Sequence, residues 1–196
     1  LVIMEDCTLS YADKDVISGF HLEVRQGERV FLKGRNGCGK SSVIRAILEA
    51  AQCGPADPGA GGPVLKKGKI EIPGQLVISY CSQDTSMLHG TIREYAAENG
   101  IDLTLFLSLL RKLDFPRLQF EKRIEDYSGG QKKKVLLAGS LCRQAHLYIW
   151  DEPLNFIDVF SRMQIEELIL KFRPSMILVE HDRMFMEHTA TRIVTL

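Results

Sequence analysis

Gly34-Arg35-Asn36-Gly37-Cys38-Gly39-Lys40-Ser41 is the stretch that decides the fold. It fits the phosphate-binding loop pattern G-x-x-x-x-G-K-[ST] at every fixed position. The apolar run at 30–32 predicts a strand before the loop, and residues 42–49 predict a helix after it. In that setting the glycines let several backbone N–H groups point at a phosphate chain, and the helix N-terminus adds partial positive charge. The sequence therefore predicts a site for a nucleoside triphosphate.

The side chains of this loop have separate predicted roles. Lys40 is expected to reach the outer phosphates, and the hydroxyl of Ser41 is expected to bind Mg²⁺. Cys38 is either a small residue that fits the loop, which is the plainer interpretation, or a thiol activated by the same N–H groups. The residues predicted to contact the nucleotide here are Asn36, Gly37, Cys38, Gly39, Lys40, Ser41 and Ser42.

Composition and charge set broad limits on the chain. Its 196 residues suit one α/β domain with its own core, and 45% apolar and 26% charged residues are ordinary for a globular protein. The formal net charge is zero, which gives no argument for nucleic-acid binding but leaves a local basic patch open. The five cysteines are scattered without a Cys-x-x-Cys pair. This spacing argues against a zinc site or a disulfide framework and fits a reducing cytosol, so we expect a cytoplasmic protein.

Targeting and membrane signals are missing from the sequence pattern. No apolar run approaches the roughly 20 residues needed to span a bilayer, so we expect no direct membrane insertion. The N-terminal residues show no signal pattern. Since Leu1 is not a natural start, we expect the chain to be a piece of a longer protein.

Hydrophobic patterning predicts an α/β fold along the rest of the chain. Alternating apolar and polar residues over 1–30 indicate short antiparallel strands. Glycine and proline between Gln52 and Gly68 predict a mobile surface loop rather than a domain boundary. Because helices alternate with short apolar strands, the core sheet should be mainly parallel. Strands are predicted at 70–72, 76–80, 147–150 and 176–179, and helices at 91–112, from Ser128 onward and at 159–171.

Two adjacent acids end the predicted strand Leu147-Tyr148-Ile149-Trp150. Ligands bind at the carboxyl ends of strands in open α/β sheets, and the end of the strand lets both acids turn toward the nucleotide. Asp151 would hold Mg²⁺ through water, and Glu152 would orient and polarise the attacking water. A plain strand end with two solvated acids is the alternative, which the phosphate loop upstream makes the weaker interpretation.

Tyr127-Ser128-Gly129-Gly130-Gln131-Lys132 is the third motif. Ser128 can cap a helix whose first turn carries bare glycines, so that free N–H groups and the helix dipole form a second phosphate site. The motif resembles the signature sequence of ATP-binding-cassette (ABC) ATPases, usually Leu-Ser-Gly-Gly-Gln, with Tyr127 in place of the leucine. In that family the signature serves the nucleotide held on the other domain of a head-to-tail pair, and an ordinary serine-capped helix is the alternative. The resemblance assigns to this second site Ser128, Gly129, Gly130 and Gln131.

The remaining elements of the ABC pattern follow in order. Gln83 resembles the Q-loop glutamine that touches Mg²⁺ and the attacking water. Tyr11 resembles the aromatic residue that stacks on adenine, although a surface tyrosine on a hairpin stays open. His181 resembles the switch histidine that contacts the γ-phosphate, and Asp158 matches the D-loop, which crosses to the partner site. The resemblance thus implies ATP as the nucleotide, with Mg²⁺ bound by Ser41, Gln83 and Asp151.

The resemblance covers nearly the whole chain and implies its architecture. Residues 1–196 would form a single P-loop NTPase domain of the ABC cassette type, with a mainly parallel core sheet, an antiparallel β subdomain and a small α-helical subdomain. The core and β subdomain would take about 1–83 and 140–196, and the helical subdomain with the signature about 84–139. The implied partner is a second ABC cassette, in the same parent chain or in a homodimer. Because half of each site belongs to that partner, we expect one cassette alone to be a weak ATPase.

Two classes of ABC protein remain open: the ATPase subunit of a membrane transporter, and the soluble ABC-F proteins, which carry two cassettes on one chain and act on the ribosome. The sequences of 85–94 and 151–158 look more like ABC-F proteins. The runs at 127–134 and 147–155 together look most like the C-terminal cassette of antibiotic-resistance ABC-F proteins, which implies a ribosome or rRNA partner through the parent protein. The run Lys132-Lys133-Lys134 could contact RNA, but a solvated helix face is the default interpretation.

Overall fold

The computed structural model describes residues 1–12, 14–52 and 62–196, which form two β-sheets and six α-helices. The strands are β1 (Val2–Tyr11), β2 (Lys14–Val24), β3 (Arg29–Lys33), β4 (Val64–Glu71), β5 (Ile78–Cys81), β6 (Leu147–Asp151), β7 (Met176–Val179) and β8 (Arg192–Thr195). The helices are α1 (Lys40–Ala50), α2 (Ile92–Glu98), α3 (Leu103–Lys112), α4 (Gly129–Cys142), α5 (Val159–Phe172) and α6 (Arg183–Thr189). Two short 3₁₀ helices, Arg117–Glu121 and Ile124–Asp126, lie between α3 and α4.

The core sheet has five strands in the order β5-β6-β7-β3-β8, and their pairings are parallel. Its central strands are apolar runs: β7 is buried along its whole length, and β6 is buried except at Tyr148. Such runs form where both faces of a sheet are covered. The predicted mainly parallel sheet is confirmed, and its strand order sets the carboxyl ends of β5, β6, β7 and β3 side by side.

The second sheet is antiparallel, in the order β2-β1-β4, as the alternation over 1–30 predicts for its first two strands. Its third strand shows that the loop prediction for 52–68 was wrong at the far end, because β4 already begins at Val64. Residues 53–61 of that predicted loop lie outside the described residues. Gly68, which favoured a loop, has φ +91°, and a Cβ there would lie 2.4 Å from the carbonyl oxygen of Glu5. The glycine therefore serves the close approach of β4 to β1.

The helix predicted over 91–112 is two helices, α2 and α3, separated by a turn. Gly100 has φ +62°, and the carboxylate of Asp102 caps α3 by accepting the backbone N–H of Leu105 at 2.7 Å. The prediction missed this break because the leucine face on which it rested belongs to α3 alone. The helices α4 and α5 are confirmed, whereas α6 and β8 had no counterpart among the sequence predictions.

The longest described helices are α4 and α5, with 14 residues each. Within the described ranges no helix has both the length and the apolar character that a membrane crossing requires. Helix α4 packs against the core sheet, where the indole N–H of Trp150 donates to the hydroxyl of Ser140 at 2.9 Å. This contact fixes α4, which begins at the signature, to the strand that ends in the two acids.

Candidate nucleotide-binding site

The phosphate loop runs from the end of β3 to the start of α1, as predicted. Gly37 and Gly39 have φ +80° and +103°, in the left-handed region that favours glycine. At Gly39 an added Cβ would lie 2.6 Å from Cγ1 of Ile17 on β2, so a larger residue has no room. The loop backbone thus adopts its curve because glycine stands at these two positions.

Cys38 packs beside the first glycine of the loop. A Cβ added at Gly34 would lie 2.5 Å from Cys38 Sγ, and Cys38 itself is only partly exposed. This packing agrees with the plainer interpretation, in which Cys38 is a small residue that fits. Asn36 is exposed on the same loop.

Lys40 is the first residue of α1 and is only 7% exposed. Its ammonium donates to the carbonyl oxygens of Gly34 at 2.9 Å and Arg35 at 3.0 Å. The loop therefore holds the cation within its own curve, next to the helix N-terminus, and both place positive charge where an anion would bind. Ser41 and the buried Ser42 follow on the first turn of the helix.

The two acids after β6 point to different neighbours. Asp151 is 5% exposed and accepts a hydrogen bond from the Ser41 hydroxyl at 3.0 Å. Burial raises the pKa of the Asp151 carboxyl, and the hydrogen bond from Ser41 partly offsets that rise. Glu152 has φ +48°, and this left-handed backbone turns its carboxylate toward the side-chain amide of Gln83, which donates to it at 2.7 Å. Both acids therefore face the site, through different partners.

His181 and an asparagine complete the surroundings of Glu152. His181 follows β7, and its Nε2 lies 3.6 Å from Oε1 of Glu152. The side-chain amide of Asn155 donates to Oε2 of Glu152 at 2.7 Å. Asn155 had no predicted role, although it lies in the run after the acids; only its position in space shows that it reaches back to Glu152. The structure thus brings Gln83, Asp151, Glu152 and His181 together at neighbouring strand ends.

Glu180 is a buried carboxylate that the sequence analysis did not single out. It is 7% exposed and accepts the backbone N–H groups of Leu154 at 3.1 Å and His181 at 2.7 Å. It thereby ties the segment after the acids to the segment that carries His181. Its place in the sequence could have indicated a role at the site, because Glu180 directly follows an apolar strand, as Asp151 and Glu152 do.

Oxygen donors that suit Mg²⁺ lie between α1 and β6. Mg²⁺ prefers oxygen ligands and is usually held in nucleotide sites by one or two carboxylates together with phosphate oxygens. The hydrogen-bonded oxygens of Ser41 and Asp151 fit that requirement. Gln83 lies close by, because its side-chain amide donates to Glu152, the residue next to Asp151. Among the described residues no group of three or more His, Cys, Asp or Glu side chains could hold a metal by itself. A metal at this place would therefore take part of its ligands from the protein and the rest from the phosphates of a nucleotide.

The signature residues form a second, separate cluster. Ser128 caps α4 with a reciprocal capping box, in which its hydroxyl accepts the Gln131 N–H at 3.3 Å and its own N–H donates to Gln131 Oε1 at 3.0 Å. Gly130 lies so close to Phe156 that an added Cβ would be 2.5 Å from the Phe156 carbonyl oxygen. In the described part of the chain no hydrogen bond or ion pair joins 128–131 to the phosphate loop. The signature and the phosphate loop of this chain do not form one site by direct contact.

Asp158 is engaged within its own chain. Its carboxylate caps α5 by accepting the Ser161 N–H at 2.8 Å, and it forms an ion pair with Lys134 at 2.7 Å. Burial alone would raise the pKa of Asp158, but the hydrogen bonds from Lys134 and Ser161 lower it to about 2. The structure therefore gives Asp158 a local role, and its predicted role toward a partner stays a prediction.

The lysine run after the signature corrects one expectation. A solvated helix face was the default, but Lys133 is 2% exposed and Lys134 8% exposed. Lys133 donates to the carbonyl oxygen of Ser82 at 2.9 Å, and burial lowers its pKa. Neither lysine is available to RNA in this fold, because both ammonium groups are bound by loops of the same chain; Lys132 alone of the three is partly exposed.

Tyr11 lies at the end of β1, in the hairpin with β2, and is partly buried. The hairpin packs on the phosphate loop through Ile17, which pairs with Leu9 in the β1–β2 ladder. Tyr11 is two residues beyond Leu9 on the same strand. Its position on this hairpin is compatible with the predicted adenine contact, which stays a prediction.

A strand–phosphate loop–helix unit, with acids at the carboxyl end of another parallel strand of the same sheet, defines a class, the P-loop nucleoside triphosphatases. The family model described as ABC transporter matches residues 17–155. The chain belongs to that family: it is an ATP-binding-cassette ATPase domain, of the kind that hydrolyses ATP.

Relatives with different names share this cassette. ATP-binding protein Uup of Haemophilus influenzae is 30% identical over 96% of this chain and 28% of its own length. ABC transporter F family member 2 of Arabidopsis thaliana is 26% identical over 99% of this chain and 28% of its own. The chain therefore spans less than a third of these two relatives. The zinc import ATP-binding protein ZnuC of Pseudomonas fluorescens is 28% identical over 100% of this chain and 73% of its own.

The fold is also that of a solved structure. A chain described as the ATP-binding subunit of an ABC transporter superposes with a TM-score of 0.82, over 100% of this chain and 85% of its own, at 22% identity. This likeness establishes the ABC cassette fold, with its parallel sheet, antiparallel sheet and helices, as predicted.

Proposed function

We propose that this cassette binds ATP with Mg²⁺ and hydrolyses it at the strand ends described above. Lys40 and the loop N–H groups hold the phosphates, and Ser41, Asp151 and Gln83 hold the metal, which would neutralise phosphate charge. Glu152 orients the attacking water, and His181 faces the γ-phosphate. The observation that carries this proposal is the convergence of Gln83, Asn155 and His181 on the carboxylate of Glu152. Catalysis in such a site is mostly positioning and electrostatic stabilisation.

The partner we propose is a second cassette arranged head to tail. The separation of Ser128–Gln131 from the phosphate loop supports this arrangement, because an exposed, glycine-rich helix start has no phosphate to serve within its own chain. Within the cassette we retain the division into a core with its β subdomain, about 1–83 and 140–196, and a helical subdomain, about 84–139. The described helices α2, α3 and most of α4 lie in that second range.

We further propose that the parent is a cytoplasmic ABC-F protein that acts on the ribosome in antibiotic resistance. One support is the F-family name of the Arabidopsis relative, and another is the run at 151–158. In addition, this chain spans 28% of that relative and 28% of Uup, a share that leaves room for a second cassette on one chain. The alternative is the ATPase subunit of a membrane transporter. Its support is the similarity to ZnuC over most of the length of that protein.

A trapping experiment separates these two functions. The full-length protein would carry Glu152→Gln, with the equivalent substitution in any second cassette, so that bound ATP is not hydrolysed. ATP is added to a lysate, and ribosomes and membranes are separated by sedimentation through a high-salt cushion. Lys40→Ala in the same protein is the control, because it should bind no ATP and should therefore associate with neither fraction.

Each location has a definite meaning. ATP-dependent sedimentation of the Glu152→Gln protein with ribosomes supports the ABC-F proposal. ATP-dependent association with membranes contradicts it and favours the transporter subunit. If the Lys40→Ala control sediments equally with ribosomes, the association does not depend on ATP and the proposed mechanism is wrong.

A further inference from the structure

Lys133 is a buried cation between the two halves of the site. It belongs to the first turns of α4, directly after the signature residues, yet it is 2% exposed. Its ammonium donates to the backbone carbonyl oxygen of Ser82 at 2.9 Å and to that of Gln83 at 3.4 Å. A buried ammonium is costly unless it is hydrogen-bonded, so these carbonyls are the groups that keep it in place.

The segment that Lys133 holds is also tied by its own side chains, since the Ser82 hydroxyl accepts the Asp84 N–H at 3.1 Å and the Gln83 amide donates to Glu152 at 2.7 Å. Ser82 and Gln83 follow the last residue of β5 and lie outside any strand or helix, and Gln83 is exposed. Among the described residues no other hydrogen-bond donor reaches these two carbonyl oxygens. The ammonium of Lys133 is therefore the described group that satisfies the backbone carbonyls of this segment.

The side chain of Gln83 extends this contact to the catalytic acid. Its amide donates to Glu152 at 2.7 Å. The path from Lys133 through the Gln83 backbone to the Glu152 carboxylate thus consists of two described hydrogen-bonded steps. Lys134, the next residue, binds Asp158 instead, so the two lysines fix α4 to different loops.

We propose that Lys133 is a positioning residue for Gln83, holding the Q-loop backbone so that the glutamine amide meets Glu152. This inference rests on the proposed role of Gln83 in ATP hydrolysis. Among the described residues the ammonium of Lys133 binds backbone carbonyl oxygens of the Q-loop and no residue of the phosphate loop. Its loss therefore acts on the rate of turnover, while the phosphate loop continues to bind ATP.

The test uses the full-length protein with three substitutions. Lys133→Met keeps the aliphatic length and removes the N–H donors, and Lys133→Arg keeps both charge and donors. Lys132→Met is the matched control, because it removes the same charge from the same helical turn, and the Lys132 side chain has no hydrogen bond or ion pair among the described residues. Steady-state ATPase gives kcat and KM, and amide hydrogen exchange reports on the peptide that contains 82–86.

In Lys133→Met we expect kcat to fall about tenfold, the scale of a lost hydrogen bond to a charged group, while the KM for ATP stays within about twofold. Amide exchange in 82–86 should rise about tenfold, with no change in α1. Lys133→Arg should keep kcat within about threefold of wild type, and Lys132→Met should match wild type. Should Lys133→Met fail to fold, Lys133→Gln, which retains an N–H donor, takes its place with a smaller expected loss.

Two results would overturn the proposal. One is a folded Lys133→Met protein with wild-type kcat and wild-type exchange in 82–86. The other is a Lys133→Met protein in which kcat falls, KM rises and thermal stability falls together, without rescue by Lys133→Arg. That pattern would mean that Lys133 only supports the fold. If the wild-type protein itself hydrolyses no ATP, the proposed function fails, and the exchange measurement still decides whether Lys133 holds the Q-loop.

Discussion

Glu152 is the residue on which the groups of the site converge. Gln83 and Asn155 each donate to its carboxylate at 2.7 Å, and His181 Nε2 lies 3.6 Å away. A left-handed backbone conformation is sparsely populated for a residue with a side chain, and it persists only where the surroundings impose it. Here it separates the directions of two adjacent acids, so that Asp151 faces Ser41 while Glu152 faces the polar groups of three loops.

Replacing Glu152 by glutamine should separate binding from hydrolysis. The amide keeps the size of the side chain but no longer carries the negative charge that we propose orients and polarises water, so we expect kcat to fall by roughly 100-fold or more. Affinity for ATP should stay within about threefold, because Lys40 and the loop N–H groups are untouched. Phosphate release and filter binding measure the two quantities.

Glu167→Gln, an exposed acid on α5, is the matched control and should leave both quantities unchanged. Lys40→Ala is the opposite control and should lose ATP binding. An unchanged rate of phosphate release in Glu152→Gln would remove the role assigned to Glu152.

At the scale of elements, α4 begins with two glycines whose surroundings differ. A Cβ on Gly130 would lie 2.5 Å from the Phe156 carbonyl oxygen, whereas a Cβ on Gly129 would meet only the Phe156 ring at 3.9 Å. The first distance is a collision with backbone, and the second is ordinary contact. Only Gly130 is therefore required by packing within the chain.

Gly130→Ala should destabilise the cassette by about 1–3 kcal/mol, the usual cost of inserting a methyl group where no space exists. Gly129→Ala should leave stability unchanged or raise it slightly, because alanine favours a helix more than glycine does. Urea unfolding of the two variants beside wild type gives the comparison. Equal stability of the two variants would show that the loop at Phe156 moves freely away from α4.

Helix α5 starts at a carboxylate whose charge is stabilised by neighbours. The pKa of Asp158 lies near 2, below the value of 3.8 for a free aspartate, so the folded state gains stability from the charged form above pH 4. That gain disappears as the pH falls from about 4 toward 2. Because the side chain is half exposed, we expect a contribution of about 1 kcal/mol or less at pH 7.

Asp158→Asn tests this directly, since asparagine caps a helix as well as aspartate but carries no charge. Urea unfolding at low ionic strength, which leaves the ion pair unscreened, should show wild type more stable than Asp158→Asn at pH 7, with a smaller difference at pH 4 that closes by pH 2.5. A difference that is constant with pH would mean that the Lys134 ion pair contributes nothing to folding.

Contiguous motifs made most of the site predictable. Residues 34–41, 128–131 and 151–152 each carry their chemistry in adjacent positions, so the strand ends and helix starts that they mark could be read directly. The environments of Gly68, Lys133 and Lys134 could not be predicted in this way, because they depend on distant segments. Glycine and three consecutive lysines both suggest exposure to solvent, yet Gly68 packs against β1 and two of the lysines are buried under loops. Local sequence does not encode which of three equal lysines faces inward.

At the scale of the whole molecule, our proposal is that the chain presents two incomplete halves of a phosphate site. The phosphate loop, with Asp151 and Glu152, forms one half, and the start of α4 forms the other. Among the described residues they are joined indirectly, by Lys133 through the Q-loop and by the hydrogen bond from Trp150 to Ser140 farther along α4. Phe156, beside the signature, is 84% exposed, so this large apolar side chain is open to contact with a second protein surface. These features favour a surface that another cassette completes.

We therefore expect the isolated cassette to hydrolyse ATP slowly, with a specific activity that rises with protein concentration as pairs form. Complementation sharpens the test: Lys40→Ala lacks the phosphate-binding lysine but keeps its signature, and Ser128→Arg blocks the signature but keeps the phosphate loop. Each variant alone should be inactive, whereas an equal mixture should regain activity, because one complete site forms in each mixed pair. Light scattering would establish the oligomeric state, and strong turnover by a demonstrated monomer, or a mixture as inactive as its parts, would contradict head-to-tail pairing.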